Sequence, residues 1–587
     1  MSTHLAVREA AEAAAFAVTR SFSGRRWVLA KSDEEAVRAL MRAHDLPLAL
    51  AQLLAARGVG ADEARDFLSP TLKQLLPEPS AFKDMDKAVA RAVRAVEQGE
   101  RIAVFGDYDV DGSCSAALLH DFFRALGIAA RVYIPDRMTE GYGPSAAAMR
   151  TLGEEGARII ITVDCGAAAT EALVAARDAG LDVIVLDHHR ADAPAPAFAQ
   201  VNPNQQGDLS GQGHLSAAGV TFLFAVALNR ALRGWYATRG MPEPNLREAL
   251  DLVALATVCD VVPLIGVNRA FVRAGLAQLM QLKRPGLAAL AEVARAAQPF
   301  TAYHCGYVFG PRINAGGRVG RCNLGVDLLT TRDASQAREF AAALDVHNQE
   351  RQAIEKAILD EAVAQAGAQD NAPFLFLGRE GWHPGVVGIV AGRLKDRFGK
   401  PAFVAGFEGG MGRGSARSVA GIDIGAVVRA AKEAGVVESG GGHAMAAGFS
   451  LMQSQHDAFH AFLAAQDFAA TDALDLDIDA MIAGASEALV RDIAHAGPFG
   501  AGNPEPVFAV ADARVAYADV VGQDHVKLRL EGGLDAIAFR CADQPLGKGL
   551  LASRGKRIHA AGRLRTDAWN GRVRVQLHLD DAAAAGA

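Results

Sequence analysis

Short apolar runs alternate with helix-like segments between residues 86 and 285, and this alternation is the clearest pattern in the chain. The runs RIAVF (101–105), RIIITV (158–163) and LDVIVL (181–186) have the length and the Ile and Val content of buried strands. Segments with helical spacing separate them, as in SCSAALLHDFFRALG (113–127). Continuous apolar strands separated by helices predict a parallel sheet that is covered on both faces.

The rest of the chain indicates further domains. Residues 333–365 contain neither Gly nor Pro and keep helical spacing, which predicts one long connecting helix. The segment AWNGRVRVQLHL (568–579) combines an Asn-Gly turn signal with strict alternation, which predicts a β-hairpin. We therefore predict an N-terminal extension that wraps the next domain (1–85), a first α/β domain (86–285), a connecting helical region (286–370), a second, smaller α/β domain (371–465) and a C-terminal β domain (466–587).

Composition narrows the class of protein. A chain of 587 residues is too long for a single hydrophobic core. No segment approaches the roughly 18 uninterrupted apolar residues that a membrane span needs, so we expect a cytoplasmic protein without membrane contact. None of the six cysteines forms a CxxC pair, which disfavours a zinc cage and a disulfide framework. The net charge of −7 means that a nucleic-acid ligand would need a local basic surface.

Acidic motifs follow each of the three predicted strands. They are Asp107, Asp109 and Asp111 after the first strand, Asp164 after the second, and Asp187, His188 and His189 after the third; Asp260 follows a further apolar run. The carboxyl ends of parallel strands converge on one crevice. Carboxylates gathered there repel each other unless cations neutralise them or their pKa values rise. Oxygen ligands with one imidazole suit Mg²⁺ or Mn²⁺, and the imidazole favours Mn²⁺.

An EF-hand loop and helix N-caps are simpler interpretations of these residues. GDYDVDG (106–112) resembles the start of an EF-hand loop, but the twelfth position counted from Asp107 is Leu118 and not the required Glu. A predicted strand also precedes the motif where an EF-hand has a helix. Asp164 or the Asp-His-His triplet alone could be a helix N-cap. Their joint arrangement at three successive strand ends is much harder to obtain from caps, which favours a metal site.

The motifs GDYDVDG, VDCG, LDHH and TVCDVVPL, in this order, resemble the DHH phosphoesterase superfamily. Downstream, GPRINAGGR (310–318), GRGSARS (412–418) and SGGGHAMAAG (439–448) resemble the RecJ family of single-strand-specific exonucleases. Cys259 departs from the pattern, in which a smaller residue such as Ala is expected. The resemblance implies a metal-dependent 5′→3′ exonuclease that acts on single-stranded DNA in repair and recombination and releases 5′-mononucleotides. It also suggests a single-strand-binding protein and a helicase as partners.

The resemblance implies ligand roles for a site with two Mn²⁺ or Mg²⁺ ions. One ion would be held by Asp109 and Asp164, with Asp107 as a further candidate. The other would be held by Asp111, Asp164, His188 and Asp260, so that Asp164 bridges the two. His189 would face the substrate, and Asp187 would orient a histidine. Because removing a carboxylate relieves repulsion, we expect Ala at Asp111, Asp164 or Asp260 to stop turnover without unfolding the protein.

The same resemblance implies substrate contacts. Arg137, Ser415 and Arg417 would bind the terminal 5′-phosphate, Arg318 would contact the scissile phosphate, and Gly441, Gly442 and His443 would line the same cleft. Glycine allows a backbone to approach a phosphate, and arginine supplies a bidentate fork. The alternatives are surface ion pairs for the arginines and a structural role for the histidine.

Basic residues cluster near the C-terminus around one aromatic side chain. We propose Arg563, Arg565, Trp569, Arg572 and Arg574 as nucleic-acid-binding residues of an OB-like domain. The alternative is a solvated edge strand protected by charge. Two rival functions remain open: a phosphohydrolase of pyrophosphate, short oligonucleotides or cyclic dinucleotides, and an inactive replication scaffold. The extra basic domain argues against the first, and the complete ligand set argues against the second.

Overall fold

A computed structural model describes residues 14–136, 139–141, 143–191, 193–367, 372–468, 475–569 and 572–586. The chain forms two compact units. One comprises Leu75–Thr471, and the other joins Met1–Gln74 to Asp472–Ala587. Within the described ranges, none of the helices combines the length and the apolarity that a membrane crossing requires.

The described residues from 14 to 75 include one strand and four α-helices. They are β1 (Arg26–Leu29), α1 (Glu34–His44), α2 (Leu48–Ala56), α3 (Ala61–Leu68) and α4 (Leu72–Leu75). Helix α1 begins where the Asp33 side chain accepts a hydrogen bond from the backbone of Glu35, which satisfies one of the free N–H groups of the first turn. Leu40 and Leu50 are buried, so these helices contribute to a hydrophobic core.

The first α/β domain contains the predicted parallel sheet. Its elements are α5 (Met85–Gln98), β2 (Ile102–Gly106), α6 (Val110–Ala125), β3 (Arg131–Tyr133), α7 (Ala146–Glu154), β4 (Ile159–Val163), α8 (Thr170–Asp178), β5 (Asp182–Leu186), β6 (Ala199–Val201), α9 (Ala217–Ala231), α10 (Arg233–Arg239), α11 (Leu250–Cys259) and α12 (Gly266–Leu279). The strand order is β3-β2-β4-β5-β6, and every neighbouring pair is parallel. The three apolar runs form its buried centre, as their continuous hydrophobicity predicted.

Four helices lead from this domain to the next: α13 (Pro285–Val293), α14 (Gly310–Val319), α15 (Leu324–Thr330) and α16 (Ala334–Ala366). A π-helical segment, His304–Phe309, runs directly into α14. Helix α16 has 33 residues, which corresponds to about 50 Å. The Asp333 side chain caps its first turn by accepting from the backbone of Ser335 and Gln336. This confirms the long connecting helix.

The second α/β domain is smaller and mostly antiparallel. Its elements are β7 (Leu375–Glu380), α17 (Val387–Phe398), β8 (Ala402–Glu408), β9 (Met411–Arg417), α18 (Ile424–Glu433), β10 (Ser439–His443), β11 (Ala446–Met452) and α19 (His456–Ala464). The order is β10-β11-β9-β8-β7. The Gly-rich motifs GRGSARS and SGGGHAMAAG form strands β9, β10 and the start of β11. Their glycines allow close packing, since a Cβ at Gly414 would lie 2.2 Å from the Phe449 ring and one at Gly440 would lie 2.5 Å from Val428.

The C-terminal domain is a closed barrel. Its elements are β12 (Asp475–Ile478), β13 (Ala480–Met481), α20 (Glu487–Ala494), β14 (Phe508–Val521), β15 (His525–Leu530), β16 (Asp535–Ala538), α21 (Pro545–Leu551), β17 (Arg557–Trp569) and β18 (Arg572–Ala584). The order β14-β15-β16-β18-β17 closes through a pairing of β14 with β17. Five strands in a closed barrel are the OB arrangement, so the predicted OB-like domain is confirmed. The flanks of the predicted hairpin pair in antiparallel register, and Asn570 and Gly571 lie outside the described residues.

The N-terminal segment packs with this barrel, which differs from the expectation that it wraps the domain following it. Strand β1 pairs in parallel with β12, and one core contains Leu40 and Leu50 together with barrel residues such as Leu528. The Trp27 indole is fully buried, and its N–H donates to the Asp581 carboxylate at 3.0 Å. Local periodicity predicts helices but cannot show that they pair with a strand some 450 residues away along the chain.

Asp581 offers a test of this connection between the chain ends. Its carboxylate is buried and accepts from the Trp27 indole and from the backbone of Ser23. Asp581→Ala leaves these donors unsatisfied and should lower the free energy of unfolding of this unit by about 1.5–3 kcal/mol. Urea titration followed by tryptophan fluorescence measures the change. Glu531→Ala removes an exposed ion pair and should cost at most about 0.5 kcal/mol; equal losses in both variants would contradict the proposed anchor.

Candidate active site

The GDYDVDG motif forms the turn between β2 and α6. The Asp109 side chain accepts from the backbone N–H of Gly112 at 3.0 Å and caps α6. This cap starts the helix at Val110, three residues before the predicted start, so Asp111 lies in its first turn. A Cβ at Gly112 would lie 2.5 Å from the Asp107 carbonyl oxygen, and the turn therefore requires glycine there.

Asp164 follows β4 in a conformation that is unusual for its residue type. Its φ is +61°, in the left-handed region that costs roughly 1 kcal/mol or more for residues other than glycine. Its N–H still bonds the Leu186 carbonyl at 3.0 Å, which extends the sheet by one residue. Asp260 ends helix α11 and does not follow a strand, and Val261 after it also has a positive φ of 58°. Such strain tends to concentrate at functional sites.

Asp187 organises the Asp-His-His turn after β5. One carboxylate oxygen accepts from the backbone of His188 at 2.7 Å and lies 2.8 Å from Nδ1 of His189. The other oxygen accepts from the Ala167 backbone at 3.0 Å. Burial opposes ionisation of Asp187, but the hydrogen bond with His189 lowers the pKa of Asp187 overall. Burial likewise opposes the imidazolium of His189, but Asp187 raises the pKa of His189 to about 9.

The carboxylates and histidines converge in three overlapping groups. They are Asp107, Asp109 and Asp164; Asp111, His188 and Asp260; and Asp164, His188 and His189, each with ligand atoms within 4.8 Å of one another. Nε2 of His188 lies 3.3 Å from an Asp164 oxygen and 3.6 Å from an Asp260 oxygen. Asp164 therefore connects a carboxylate group on one side with a mixed group on the other.

The electrostatics of these groups fit bound cations. Burial and the charge of Asp109 raise the pKa of Asp111 to about 7, and burial and the charge of Asp111 raise that of Asp260 to about 8. Burial, and then the charges of the neighbouring carboxylates, raise the pKa of Asp164 well above its ordinary value. A positive charge nearby would therefore favour the ionised form of these aspartates at neutral pH. A carboxylate and imidazole donor set is the one expected for Mn²⁺ or Mg²⁺.

His188 provides the most direct sign of a cation. Burial and the neighbouring His189 lower the pKa of His188 to about 4, so its ring is neutral at pH 7. Its Nε2 is buried without a hydrogen-bond partner, whereas a backbone bond at Leu215 occupies the other ring nitrogen. A hydrogen bond at one nitrogen leaves the lone pair of the other directed at the carboxylates. Such a buried lone pair facing oxygens fits a metal ion between them.

Asp111 has a second role that its sequence position did not reveal. Its two carboxylate oxygens accept from the backbone N–H groups of Ala217 and Ala218 at 2.7 and 2.8 Å. These N–H groups belong to the first turn of α9, where the helix itself offers them no acceptor. The expectation that Asp111→Ala leaves the fold undisturbed is therefore revised, since that change would also remove an anchor of α9.

A pocket of 270 Å³ brings several of the predicted substrate residues together. It is lined by Arg318, Pro384, Gly385, Gly388, Arg413, Gly414, Ser415, Arg417 and Gly448, and none of these residues is acidic. The Arg417 guanidinium donates to the Ser415 hydroxyl at 2.7 Å, and burial lowers the pKa of Arg417. Arg413 was missed in the sequence, although the alternation of a strand places residues 413, 415 and 417 on one face of β9.

Arg318 reaches this pocket from the end of α14, where its guanidinium donates to the Gly385 carbonyl at 2.7 Å. The glycines before it do not form a phosphate loop, because GPRINAGGR is helical. A Cβ at Gly317 would lie 3.0 Å from the Tyr108 ring. The Asn314 side chain accepts from the Val110 backbone at 3.1 Å. The motif thus holds α14 against the metal-site loop.

The remaining predicted substrate residues lie elsewhere. Gly441, Gly442 and His443 belong to the edge strand β10 and line a separate cavity of 1070 Å³, together with Arg190, Asp423, Arg429, Lys432, Glu433, Gly440 and Ala444. This cavity shares no lining residue with the arginine pocket. Gly441 nevertheless pairs in register with Gly448, which lines that pocket, so the expectation of a common cleft stays a prediction. Arg190 directly follows His189, which places one edge of the cavity at the metal-site turn. Arg137 lies outside the described residues.

The basic residues of the barrel are partly paired. Arg563 pairs with Asp580 and Arg565 with Glu505, each at 2.5 Å. The register places these arginines opposite His578 and Gln576, and Arg574 opposite Asp567. Trp569 and Arg572 face each other in register, but their side chains lie outside the described residues. The nucleic-acid role of these five residues stays a prediction, as does the alternative of a solvated face.

Three family models match the chain. Residues 101–257 match the DHH family, N-terminal domain; residues 371–467 match the DHHA1 domain; and residues 476–581 match the RecJ OB domain. These matches cover the sheet with the metal-site motifs, the domain of the arginine pocket and the closed barrel.

Close similarity extends to whole proteins. The single-stranded-DNA-specific exonuclease RecJ of Bacillus subtilis (strain 168) is 34% identical over 585 residues, which cover 95% of this chain and 71% of that protein. RecJ from Thermus thermophilus, crystallised with Mn²⁺, matches with a TM-score of 0.80 and 31% identity over 95% of this chain and 79% of that one. Its complex with Mg²⁺ matches with a TM-score of 0.75 and 30% identity over 96% and 79%.

The raised carboxylate pKa values predict how pH acts on the metal-free protein. Since the folded pKa of Asp260 is about 8, the stability associated with its protonated form is lost as pH rises towards 8. Asp260→Asn keeps the shape without the charge, so in EDTA it should be more stable than the parent at pH 8.5, by about 1–3 kcal/mol, and nearly equal at pH 5. Thermal unfolding across pH measures the difference.

Asp111→Asn is the matched comparison for that experiment. It also removes a buried charge, but its amide cannot accept from both backbone N–H groups of α9. Its gain at pH 8.5 should therefore be smaller than that of Asp260→Asn. Parallel stability curves for the parent and Asp260→Asn would contradict the repulsion on which both expectations rest.

Proposed function

The chain belongs to the RecJ family, and from that premise we propose that it is a two-metal exonuclease that removes mononucleotides from the 5′ end of single-stranded DNA. The observation that carries the proposal is the pairing of a carboxylate and histidine centre with a pocket of three arginines. The first provides for hydrolysis of a phosphodiester, and the second provides for recognition of a terminal phosphate. The relatives bear the name single-stranded-DNA-specific exonuclease, which supports this substrate.

We assign the metal ligands from the convergent groups. Asp107, Asp109 and Asp164 would hold one ion, and Asp111, His188 and Asp260 would hold the other, with Asp164 between them. Two bound cations lower the pKa of a water nucleophile and shield the negative charge of the phosphate oxygens. Because burial and mutual charge raise the pKa values of Asp111, Asp164 and Asp260, bound cations would favour the ionised forms of these three side chains.

His189 is suited to donate a proton to the leaving 3′-oxygen. Its side chain is 38% exposed, which makes it accessible to substrate, and Asp187 fixes its ring through Nδ1. Because Asp187 raises the pKa of His189 to about 9, the ring carries a proton at neutral pH. Nε2 then presents that proton on the side away from Asp187, as a general acid requires.

The arginine pocket explains the preference for an end. A terminal phosphate carries a charge of about −1.5 to −2 at pH 7, whereas a phosphodiester carries one charge. Arg318, Arg413 and Arg417 supply three guanidinium groups in a pocket of 270 Å³ whose described lining contains no acidic side chain. Binding the terminal group there would set the distance to the metal centre, so that the cut releases one nucleotide.

The OB domain and the complete ligand set bear on the two rival functions. The closed barrel matches a RecJ OB domain, which supports contact with single-stranded DNA beyond the catalytic centre and argues against a dedicated hydrolase of small phosphate esters. The ligand set is complete, which argues against an inactive scaffold. A cytoplasmic location, a role in repair and recombination, and partnership with a single-strand-binding protein and a helicase stay predictions.

Polarity and strand preference test the proposal directly. The protein should be incubated with Mn²⁺ and with single- and double-stranded DNA labelled at either end. We expect 5′-mononucleotides from the single strand, shortening from the 5′ end, and little product from the blunt duplex. Asp164→Ala should be inactive, because Asp164 belongs to both proposed ion positions. Shortening from the 3′ end, or near-normal hydrolysis by Asp164→Ala, would refute the assignment.

Arg417→Ala tests the end-binding pocket. The parent should prefer a 5′-phosphate over a 5′-hydroxyl, and the variant should lose most of that preference, because one charged hydrogen-bond partner is worth about 1.5–3 kcal/mol, or about 10- to 150-fold. The ratio of kcat/KM on the two ends measures it. Arg379→Ala is the control, since this exposed arginine of the same domain pairs with Glu361. An unchanged ratio in Arg417→Ala would place the pocket elsewhere.

A further inference from the structure

One continuous helical segment, from residue 302 to Val319, borders both parts of the proposed site. Its C-terminal end carries Arg318 in the arginine pocket, and its N-terminal part is the π-helical segment His304–Phe309. Pro311 accounts for the π-helical widening, because proline lacks an N–H for Tyr307 and its ring crowds the carbonyl four residues earlier. Such π-helical turns are frequent at functional sites.

The segment passes the metal-site elements in a fixed order. Near the pocket, Gly317 packs on Tyr108 of the GDYDVDG turn. Further back, a Cβ at Gly310 would lie 2.4 Å from the sulfur of Cys259, the residue before Asp260. One turn further still, a Cβ at Gly306 would lie 3.4 Å from the Val258 side chain. The helix thus leads from the pocket, past the first carboxylates, to the end of α11 that bears Asp260.

Two exposed tyrosines lie at the far end of this path. The side chains of Tyr303 and Tyr307 are 60% and 73% exposed, and their rings stack with centroids 5.2 Å apart and planes at 27°. Aromatic rings usually bury their large apolar area, so an exposed stacked pair is a candidate for ligand contact. Val261, directly after Asp260, adds a 69% exposed apolar side chain to the end of α11 on which this helix packs.

We propose that Tyr303 and Tyr307 form a stacking platform for bases on the 3′ side of the scissile bond. The inference rests on the proposed function, which places the 5′-phosphate at Arg417 and the cut at the metal centre. The uncleaved DNA on the 3′ side of the cut would then leave the metal centre past Asp260. The helix that packs on this end of α11 carries the two tyrosines. From residue 305 to Arg318 the helix covers roughly 20 Å, which leaves room for several nucleotides.

The chemistry of the pair favours nucleic-acid bases as its ligand. Every base has a π-face, so aromatic stacking holds a DNA strand without regard to sequence, as an exonuclease that removes every kind of nucleotide needs. The two rings are inclined by only 27°, so a base could stack on an exposed face of the pair. The hydroxyl groups are not needed for stacking, so the proposal requires the rings alone.

The test compares ring removal with ring retention in the full-length protein. The variants are Tyr303→Ala/Tyr307→Ala and Tyr303→Phe/Tyr307→Phe, and Val346→Ala, an exposed position on α16, serves as the control. The substrates are 5′-phosphorylated oligothymidylates of 2 to 20 nucleotides. Affinity is measured by fluorescence anisotropy in EDTA, and kcat and KM are measured in Mn²⁺. The tyrosines are exposed, so both double variants should fold.

The platform predicts an effect that depends on substrate length. The alanine variant should bind long oligonucleotides about 5- to 150-fold more weakly for each base that loses its stack. KM should rise accordingly, while kcat and the KM of the dinucleotide stay at parental values. The phenylalanine variant and the control should resemble the parent. Abasic sites on the 3′ side should lower the affinity of the parent for the oligonucleotide and leave the affinity of the alanine variant unchanged.

Other outcomes separate the platform from the proposed function. Parental affinity of the alanine variant at every length would overturn the platform and assign the tyrosines to another occupant, such as a protein, even while the parent cleaves DNA. A uniform loss that includes the dinucleotide would indicate a structural disturbance and would also overturn it. Failure of the parent to shorten 5′-phosphorylated DNA would refute the proposed function, whereas affinities in EDTA would still report on stacking.

Discussion

Repulsion between buried carboxylates is the constraint on which the catalytic unit depends. Burial and mutual charge raise the pKa values of Asp111, Asp164 and Asp260, so the fold alone does not stabilise these groups in their ionised form. A protein can keep such a cluster only if other bonds hold each side chain in place and a cation compensates the charge. Asp111 meets the first condition through two backbone hydrogen bonds, and the second condition, a bound cation, is part of the function we propose.

Three of the acidic side chains are held by hydrogen bonds to different parts of the domain. Asp109 caps α6, Asp111 anchors the first turn of α9, and Asp187 ties its own turn to Ala167. Because these bonds use backbone N–H groups, they lower the energy of the charged carboxylate without introducing a competing side-chain cation. The site is therefore preorganised by the ends of several elements, and its geometry follows from the parallel sheet that brings those ends together.

The sequence predicted what local patterns determine. Buried parallel strands and a long helix without Gly or Pro leave periodic signals, and the fold class was confirmed by the sheet orders and the closed barrel. The position of residues 14–74 was not predictable, because pairing of β1 with β12 joins distant segments that lack any shared local pattern. Glycine was the most misleading residue type. In GPRINAGGR it allows a helix to approach Tyr108, a role that composition alone cannot separate from phosphate binding.

Among the candidate site residues too, local patterns predicted some positions and tertiary packing determined the others. The strand-end motifs of the acidic cluster converge as parallel topology requires. Asp260 was singled out because it follows an apolar run, but that run is a helix and not a strand. Arg413 was within reach of the alternation rule but was not considered. Gly441, Gly442 and His443 were expected to line the same cleft as the arginines; they lie on the edge strand next to β11 and line a second cavity, so their substrate role stays a prediction. Sequence spacing fixes which face of a strand a residue occupies, but the neighbouring domain that completes a cavity is set by tertiary packing.

The ion pairs of the barrel affect which of its arginines could bind the phosphates of single-stranded DNA. An exposed pair is worth only about 0–1 kcal/mol, so a phosphate can replace the carboxylate partner of such an arginine at little cost. For Arg565 the exchange would cost more. Burial raises the pKa of its partner Glu505, and losing the arginine would leave that carboxylate poorly solvated. Its pair therefore favours a structural role. Arg574 is exposed on β18, and its charge contributes to lowering the pKa of Asp535. Contact with DNA on this face would then depend less on the number of arginines than on which of them can exchange a protein carboxylate for a phosphate.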